Sequence, residues 1–220
     1  MCGRFIQAAS GEVLTRQFGL TLPDDYAPRY NVAPNQTVLA IRATEDGRQP
    51  VWLRWGLVPA WSREPRLKYS TINARAETVA EKPAYRQAFR QRRCLIPADG
   101  FYEWRKVADR KQPYCIGMAD GSSFALAGLW EHWARDEEAV DSCTILVTQA
   151  NERIGEIHDR MPVILEPLDY EAWLDPTVCD AARVSPLLRS YPSERMKLWP
   201  VGSAVNRPVN QGPGLMEPVG

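Results

Sequence analysis

The sequence has no net charge, no long apolar run and no signal-peptide pattern. Its 220 residues carry 27 Lys and Arg against 27 Asp and Glu. Contact with nucleic acid would therefore require a local cluster of positive charge rather than a field over the whole chain. A bilayer span needs roughly 20 consecutive apolar residues, and no segment approaches that length. We expect a cytoplasmic protein that does not associate with membranes.

Cysteine is scarce and unpaired. The five cysteines are an odd number without CxxC spacing, which argues against a disulfide framework and against a structural zinc site. The sequence therefore predicts no metal and no cofactor. It favours a reducing compartment, in which an N-terminal thiol would survive.

Short alternating segments indicate a fold built mainly from antiparallel strands. Residues 37–42 and 51–58 alternate on either side of an Asp-Gly turn, as in a hairpin, and no regular βαβ order is visible. We expect one α+β domain over residues 1–220, with a curled, mostly antiparallel, barrel-like sheet and flanking helices. The Pro- and Gly-rich end, from about residue 208 to residue 220, is expected to be flexible.

Helix signals are few and short. Ser10 and Gly19 have the properties of an N-cap and a helix stop, and further helices are predicted over 83–93 and 177–188. A last strand is predicted over 198–205. Basic residues on or beside the 83–93 helix are interpreted as a solvated face: Lys82, Arg86, Arg90, Arg92 and Arg93.

The chain has two histidines, so each is informative. His132 lies in a predicted strand among aromatic residues, where a structural role is favoured. His158 lies in a loop between a short helix and a strand, a position where reactive residues collect. Imidazole is the side chain best suited to proton exchange near neutral pH. A functional and a structural role for His158 both remain open.

A carboxylate and an amide are two further candidates. Period-two alternation puts Tyr102 and Trp104 on one strand face and leaves Glu103 beside Phe101. Partial desolvation there would suit Glu103 to general acid–base work, although the same alternation could turn it to solvent. Asn73 lies in a polar extended run, where its amide either orients a ligand or caps a turn.

The first five residues contain the most specific chemistry. A small second residue permits removal of Met1, which would leave Cys2 with a free α-amine and a thiol. Their reference pKa values, about 7.7–8.0 and about 8.5, keep both groups usable as nucleophiles near neutral pH. Gly3 permits close backbone approach, and Arg4 offers a fixed positive fork. Taken alone, the stretch is equally an inert chain terminus.

Six sequence blocks in order resemble the SOS-response-associated peptidase (SRAP) family. They are Cys2-Gly3-Arg4-Phe5, the segment 30–34, Trp55-Gly56, the segment 73–78, the segment 94–104 and the segment 158–162, with a weaker echo at 201–206. Members of this family act on abasic sites in single-stranded DNA. The resemblance therefore implies that single-stranded DNA with abasic sites is the partner. We expect a monomer, located near the nucleoid and replication fork.

The resemblance also implies a covalent reaction. The Cys2 amine would form a Schiff base with the open-chain sugar aldehyde, and the thiolate would close a thiazolidine ring. Asn73 would position Cys2, Glu103 would handle the proton of its amine, and His158 would assist opening of the sugar ring. Six residues would contact DNA: Arg4, Arg75 and Arg160 at phosphates, Trp61 and Pro34 at flanking bases, and Thr148 in the pocket.

Two other functions remain open at this point. The first is an N-terminal-nucleophile peptidase or amidohydrolase, including an autopeptidase, because a cysteine beside a base suits acyl transfer. The second is a non-covalent single-strand-binding module for damage signalling, in which Cys2 is incidental.

Overall fold

Strands dominate the molecule, and helices are short. Within residues 2–65 and 67–219, which a computed structural model describes, the chain forms thirteen strands and five α-helices. The strands are β1 (Phe5–Gln7), β2 (Arg29–Val32), β3 (Thr37–Thr44), β4 (Gly47–Trp55), β5 (Asn73–Arg75), β6 (Arg93–Ala98), β7 (Gly100–Val107), β8 (Arg110–Met118), β9 (Phe124–Arg135), β10 (Glu138–Gln149), β11 (Arg160–Pro162), β12 (Ile164–Leu165) and β13 (Met196–Pro200). The helices are α1 (Gly11–Phe18), α2 (Arg86–Gln91), α3 (Glu152–Gly155), α4 (Tyr170–Leu174) and α5 (Ala181–Val184).

The strands form a closed barrel and a second, open sheet. In the larger sheet the order β10-β4-β3-β6-β9 closes on itself because β9 also pairs with β10. The strands β5, β11 and β12 extend this barrel at its margins. The open sheet has the order β13-β8-β7-β1-β2. Every pairing of named strands is antiparallel except those of β10 with β4 and with β5. The predicted α+β fold with a curled, mostly antiparallel sheet is confirmed.

A buried glutamine joins the two sheets. Gln7, at the end of β1, is 1% exposed. Its Nε2 donates to Leu39 O at 3.0 Å and to Pro97 O at 2.9 Å, while its Oε1 accepts from Leu39 N at 3.0 Å. All but one of its hydrogen-bonding sites are thus used on barrel strands, which offsets the cost of burying the amide. The N-terminal strand is fixed to the barrel as a consequence.

The core is packed beneath the chain's first residues. Phe5 is fully buried and meets Trp55 edge to face, with ring centroids 5.1 Å apart and an interplanar angle of 75°, a favourable arrangement for aromatic pairs. Cys2 belongs to the same apolar cluster. Because burial of this size is worth about 1.5–3 kcal/mol per large side chain, the N-terminal segment is held by packing as well as by strand pairing.

Several helix predictions need correction. The first helix has its predicted limits, with Ser10 capping Val13 N and Gly19 at φ 65°. The predicted 177–188 helix is only α5 followed by a 3₁₀ turn, Ser185–Leu187. Asp175 Oδ1 accepts hydrogen bonds from Thr177 N and Thr177 Oγ1, and this side-chain turn replaces the predicted start of the helix. Pro186 has no N–H to donate, so the α-helix does not continue through it. The 83–93 helix shortens to α2.

Arg93 is not part of a solvated basic face. It is 3% exposed, and its guanidinium donates to four main-chain carbonyls, those of Phe89, Arg90, Trp173 and Asp175. These carbonyls lie at or near the ends of α2 and α4, where helices leave acceptors unpaired. The side chain therefore ties two helix ends to the start of β6.

The C-terminal end differs from the flexible tail that was expected. The last strand is β13, which ends at Pro200, and Ser203–Asn206 and Pro213–Met216 are 3₁₀ turns. Gln211 Oε1 accepts from Tyr30 N at 2.9 Å, and Val219 N donates to Pro200 O at 3.0 Å. Leu215 is 8% exposed. Residues 208–219 are therefore packed on the open sheet. The hydrogen bonds that hold them join distant parts of the chain, so the Pro- and Gly-rich composition of the segment does not predict them.

None of the helices in the described ranges combines the length and the apolar character needed to cross a bilayer.

Candidate active site and nucleic-acid interface

Cys2 lies three residues before β1 begins, beside the middle of β7. Phe5 pairs with Phe101, and Tyr102 N donates to Arg4 O at 3.0 Å, so the antiparallel register carries the preceding residues towards Glu103 and Trp104. The Cys2 thiol is fully buried, with Sγ 3.9 Å from Arg4 O. The predicted loss of Met1 concerns a residue outside the described ranges.

Burial raises the pKa of the Cys2 thiol well above its ordinary range, and the neighbouring Glu103 carboxylate raises it further. The charged thiolate is disfavoured in an apolar site and beside a negative charge. The thiolate fraction of Cys2 near neutral pH is therefore smaller than the reference pKa of a cysteine thiol predicts.

Glu103 lies on the same sheet face as Cys2. Phe101 packs in the core cluster that contains Cys2, whereas Tyr102 and Trp104 pack in a separate cluster on the other face. The alternation predicted from the sequence is thus confirmed, and the alternative of a solvent-facing carboxylate is wrong, because Glu103 is 4% exposed. A buried carboxylate whose charge acts on the neighbouring Cys2 thiol is suited to proton exchange at this position.

His158 follows α3 and is oriented by the main chain of β11. Its Nδ1 accepts a hydrogen bond from Arg160 N at 3.0 Å and also lies 2.8 Å from Asp159 Oδ1. One nitrogen cannot accept and donate at once, and we assign it as the acceptor because the Arg160 N–H points at it. The Asp159 carboxylate is 83% exposed and solvated. In the neutral imidazole the proton then resides on Nε2.

Glu103 and His158 line one cavity of about 410 Å³, which we call the chemical cleft; its other lining residues are Trp104, Lys111 and Asn206. No local sequence pattern predicts a role for these three residues. Asn206 Oδ1 accepts from Trp104 Nε1 at 2.8 Å, a contact between residues 102 positions apart that no local pattern reveals. The weak similarity of residues 201–206 to the SRAP family was the one sequence feature that pointed to Asn206.

A second cavity, of about 580 Å³, holds the aromatic and basic candidates. We call it the aromatic cavity, and it is lined by Trp61, Tyr69, Asn73, Arg75, Thr78, Lys82, Pro83, Ala84 and Tyr85. Trp61 is 60% exposed, and its Nε1 donates to Pro83 O at 3.3 Å. The indole face is therefore fixed and open to solvent, as a stacking platform requires.

Asn73 borders the aromatic cavity and not the chemical cleft. It begins β5, opposite Ile145, and its Nδ2 donates to Ile72 O at 3.1 Å. Its Oδ1 is buried, and no donor to it exists among residues 2–65 and 67–219. A buried acceptor without a donor is costly, so Asn73 Oδ1 is suited to receive a hydrogen bond from a ligand or a reacting group.

The remaining predicted DNA contacts are distributed around these cavities. Thr148 is 7% exposed in β10 and pairs with Met161 of β11. Pro34 is half-buried beside Arg54 in a third cavity, of about 610 Å³. Arg75 is exposed at the end of β5, while Arg160 is half-buried and ion-paired with Glu77.

Arg4 has a different environment from the one expected of a free phosphate-binding fork. Its Nη1 donates to Asn31 Oδ1 and to Val205 O, both at 2.7 Å, and its Nη2 donates to Asn206 O at 3.3 Å. The guanidinium also lies 5.9 Å from the Trp104 ring centroid. Burial lowers the pKa of Arg4. These contacts tie the N-terminal segment to the 205–206 turn, and a phosphate contact by Arg4 stays a prediction.

His132 lies on the barrel surface. Its Nδ1 is 2.7 Å from Asp141 Oδ1 across the β9–β10 pair, and both side chains are about half exposed. The structural role predicted for His132 fits this surface pair.

Comparison with known proteins agrees with the resemblance seen in the sequence. The family model described as "SOS response associated peptidase (SRAP)" matches residues 1–208. The abasic site processing protein YoqW of Bacillus subtilis is 41% identical over 222 residues, covering 99% of both chains. YedK of Escherichia coli, with the same description, is 32% identical over 228 residues and 100% of both chains. HMCES of Xenopus tropicalis is 31% identical over 88% of this chain and 67% of its own.

Solved structures give the same result. The crystal structure of a protein from Bacteroides thetaiotaomicron superposes with a TM-score of 0.84 at 26% identity, covering 98% of this chain and 99% of that one. A Bordetella bronchiseptica protein gives a TM-score of 0.81 at 27% identity, over 91% of this chain. With a family match over nearly the whole length and relatives above 30% identity, the chain belongs to the SOS response associated peptidase (SRAP) family.

Proposed function

We propose that this protein processes abasic sites in DNA by forming a covalent thiazolidine adduct through Cys2. The observation that carries the proposal is the position of Cys2: it is buried beside the middle of β7, and the charge of Glu103 acts on its thiol. Several relatives at 29–41% identity are described as abasic site processing proteins, which supports the same class of substrate here.

The first step joins the Cys2 amine to the open-chain aldehyde of the abasic sugar. The amine nitrogen attacks the aldehyde carbon, Glu103 takes the proton released from nitrogen, and loss of one water leaves an imine. A carboxylate that accepts this proton within hydrogen-bonding reach acts as a general base. Removal of Met1 is required, because an amide nitrogen does not form an imine.

The second step closes the ring. The Cys2 sulfur adds to the imine carbon, and the thiol proton ends on the nitrogen, so the whole reaction consumes one aldehyde and releases one water. Burial of the thiol favours its neutral form until the electrophile arrives. The product contains no imine and resists hydrolysis.

His158 serves as the acid for opening the sugar ring. With Nδ1 accepting from Arg160 N, the neutral imidazole carries its proton on Nε2. Donation of that proton to the ring oxygen breaks the bond between C1 and the ring oxygen, and the C1 hydroxyl gives up its own proton to solvent, which leaves the open-chain aldehyde. Asn73 Oδ1, a buried acceptor without a donor among the described residues, orients the reacting nitrogen.

DNA is bound around these groups by stacking and by charge. Trp61 and Pro34 pack on bases that flank the lesion, Arg75 and Arg160 bind phosphates, and Thr148 lines the pocket. Stacking is worth about 1–3 kcal/mol per base and tolerates any sequence. Arg4 contributes by holding the N-terminal segment against the 205–206 turn.

An extended N-terminus tests the proposal. The native protein is incubated with a single-stranded oligonucleotide in which a glycosylase has converted one uracil to an abasic site. We expect an adduct that survives heat and denaturant without reductant, and no adduct from a variant that retains one uncleaved residue before Cys2. Crosslinking by the extended variant at the native rate would place the nucleophile elsewhere. A fluorogenic peptide screen of both proteins tests the peptidase alternative.

A further inference from the structure

Glu77 is an acidic side chain between two arginines of the proposed DNA interface. Its Oε1 forms an ion pair with Arg160 Nη1. Burial acts to raise the pKa of Glu77, but hydrogen bonds from its own backbone and from Arg160, together with the charges of Arg160 and Arg75, lower it below its ordinary value. The side chain is therefore a carboxylate at neutral pH. A negative charge at a phosphate-binding surface opposes binding, so its presence there needs another reason.

Arg160 connects Glu77 to the chemical cleft. The Arg160 side chain is 23% exposed, and a guanidinium with so little solvent needs an acceptor to offset its desolvation. Among the described residues, Glu77 is its ion-pair partner. The main-chain N–H of the same residue donates to His158 Nδ1 at 3.0 Å. One residue thus binds Glu77 by its side chain and His158 by its backbone.

The position of Arg160 at the start of a strand makes this link effective. Arg160 pairs with Gln149 where β11 begins, and Ala150 N donates to Asp159 O at 3.0 Å. Residues at the ends of elements open locally at a lower free-energy cost than residues in the core, so a side-chain contact there contributes to holding the backbone in place. Loss of the Glu77 contact would therefore allow the Arg160 N–H to leave His158.

We propose that Glu77 is a positioning residue: its carboxylate holds Arg160, and the Arg160 N–H holds His158 in the tautomer with the proton on Nε2. The effect on catalysis rests on the proposed function of His158 as the acid, while the effect on the tautomer does not. This role explains why a carboxylate, that of Glu77, lies beside two arginines that are proposed to bind phosphates. It also distinguishes Glu77 from Glu81, which is exposed and forms no ion pair within residues 2–65 and 67–219.

Imidazole nitrogen NMR of the free protein tests the tautomer. The chain has two histidines, so His132 serves as an internal reference. At mildly alkaline pH we expect the Nε2–H tautomer for His158 in the native protein and in Glu81→Gln, and a mixture of tautomers in Glu77→Gln. The His132 signals should stay the same in all three. An unchanged His158 tautomer in Glu77→Gln would overturn the proposal.

Crosslinking rates supply the functional half of the test, with the abasic oligonucleotide in excess. Glu77→Gln should form the adduct more slowly than Glu81→Gln. The ratio of the two rates should be smaller than the roughly 10²–10⁴-fold expected for complete loss of an acid–base group. Arg160→Lys should slow the reaction similarly, and the double variant no further, because both changes break one link. Tighter DNA binding by Glu77→Gln at an unchanged rate would instead make Glu77 a competitor of phosphate.

The two proposals fail separately. If the native protein forms no adduct but Glu77→Gln alters the His158 tautomer, the proposed function is wrong and the positioning role stands. If Glu77→Gln does not fold, Glu77→Asp takes its place, because it keeps the charge and shortens the reach. The positioning role would be overturned if Glu77→Asp and Arg160→Lys each kept the native His158 tautomer and the native crosslinking rate.

Discussion

The chemical cleft and the aromatic cavity use the same barrel strand in different ways. β10 pairs with β5, which carries Asn73 and Arg75, and with β11, which carries Arg160. The chemical cleft holds a 4% exposed carboxylate and an imidazole oriented by a backbone N–H. The aromatic cavity instead presents a 60% exposed indole and exposed cations. Proton transfer needs fixed, desolvated groups, whereas strand binding needs open faces and charge.

This contrast predicts that changes at Cys2 and at the proton-transfer groups of the chemical cleft slow or abolish the reaction and spare binding, while changes at the exposed indole and cations of the aromatic cavity weaken binding and spare the reaction. The largest effect is expected for Cys2→Ala, provided that Met1 is still removed. This variant keeps the amine and loses the thiol, so it should form at most an imine that borohydride traps. The measurement is gel analysis after heat and denaturant, with and without borohydride. A stable adduct without reductant would show that the Cys2 thiol has no part in it.

Glu103→Gln and His158→Ala should come next. Each should slow adduct formation by about 10²–10⁴-fold, the usual range for general acid–base assistance. Single-turnover kinetics with DNA in excess measure the rate, and His132→Ala is the matched control because its imidazole lies on the barrel surface. Binding of undamaged DNA should be native in all three. Native rates in both cleft variants would make these residues structural.

The pH dependence should separate the two steps of the reaction at Cys2. Burial and Glu103 raise the pKa of the Cys2 thiol, so its protonated form persists at neutral pH and the thiolate fraction grows as pH rises. Ring closure should therefore accelerate relative to imine formation between about pH 7 and about pH 9. The comparison is between denaturant-stable and borohydride-trapped adduct at early times. A ratio that is constant with pH would mean that the thiol proton does not limit ring closure.

Trp61→Ala should weaken binding of undamaged single strands by about 1–3 kcal/mol, because one stacked base loses its platform. Stacking releases no counterions, so the dependence of affinity on salt should keep its native slope. Fluorescence anisotropy titrations at several salt concentrations measure both quantities. A flattened salt dependence would contradict the assignment of Trp61 to a base.

Arg75→Ala should have the smallest effect on DNA affinity and, unlike Trp61→Ala, should change how that affinity depends on salt. Loss of one phosphate contact should reduce the slope of log affinity against log salt by roughly 0.7. Arg63→Ala, another exposed arginine but outside the aromatic cavity, is the control and should leave the slope nearly native. Equal effects of both changes would indicate a diffuse field rather than a contact at Arg75.

Local patterns predicted the parts of the site that depend on strand alternation and capping. Period two placed Glu103 on the face of Phe101, and Ser10 and Gly19 gave the limits of α1. The resemblance predicts roles for Cys2 and His158 because each lies in a short contiguous sequence block. In each case the information lies within a few residues of the feature.

Contacts between distant segments were not predictable in this way. The guanidinium of Arg4 is occupied by acceptors about 200 residues away, and Arg93 is buried against the end of α4. The 208–219 segment is packed against β2 and β13 although its composition is typical of a flexible tail. Burial of the Cys2 thiol likewise depends on the whole core rather than on its neighbours in sequence.

Intact-mass analysis tests the central claim most directly. The purified protein should have the mass of the chain that begins at Cys2. After reaction with the abasic oligonucleotide, one species should appear at the sum of the protein and DNA masses minus one water. A reactive protein that retains Met1, or an adduct at the full sum of the two masses, would contradict the thiazolidine mechanism.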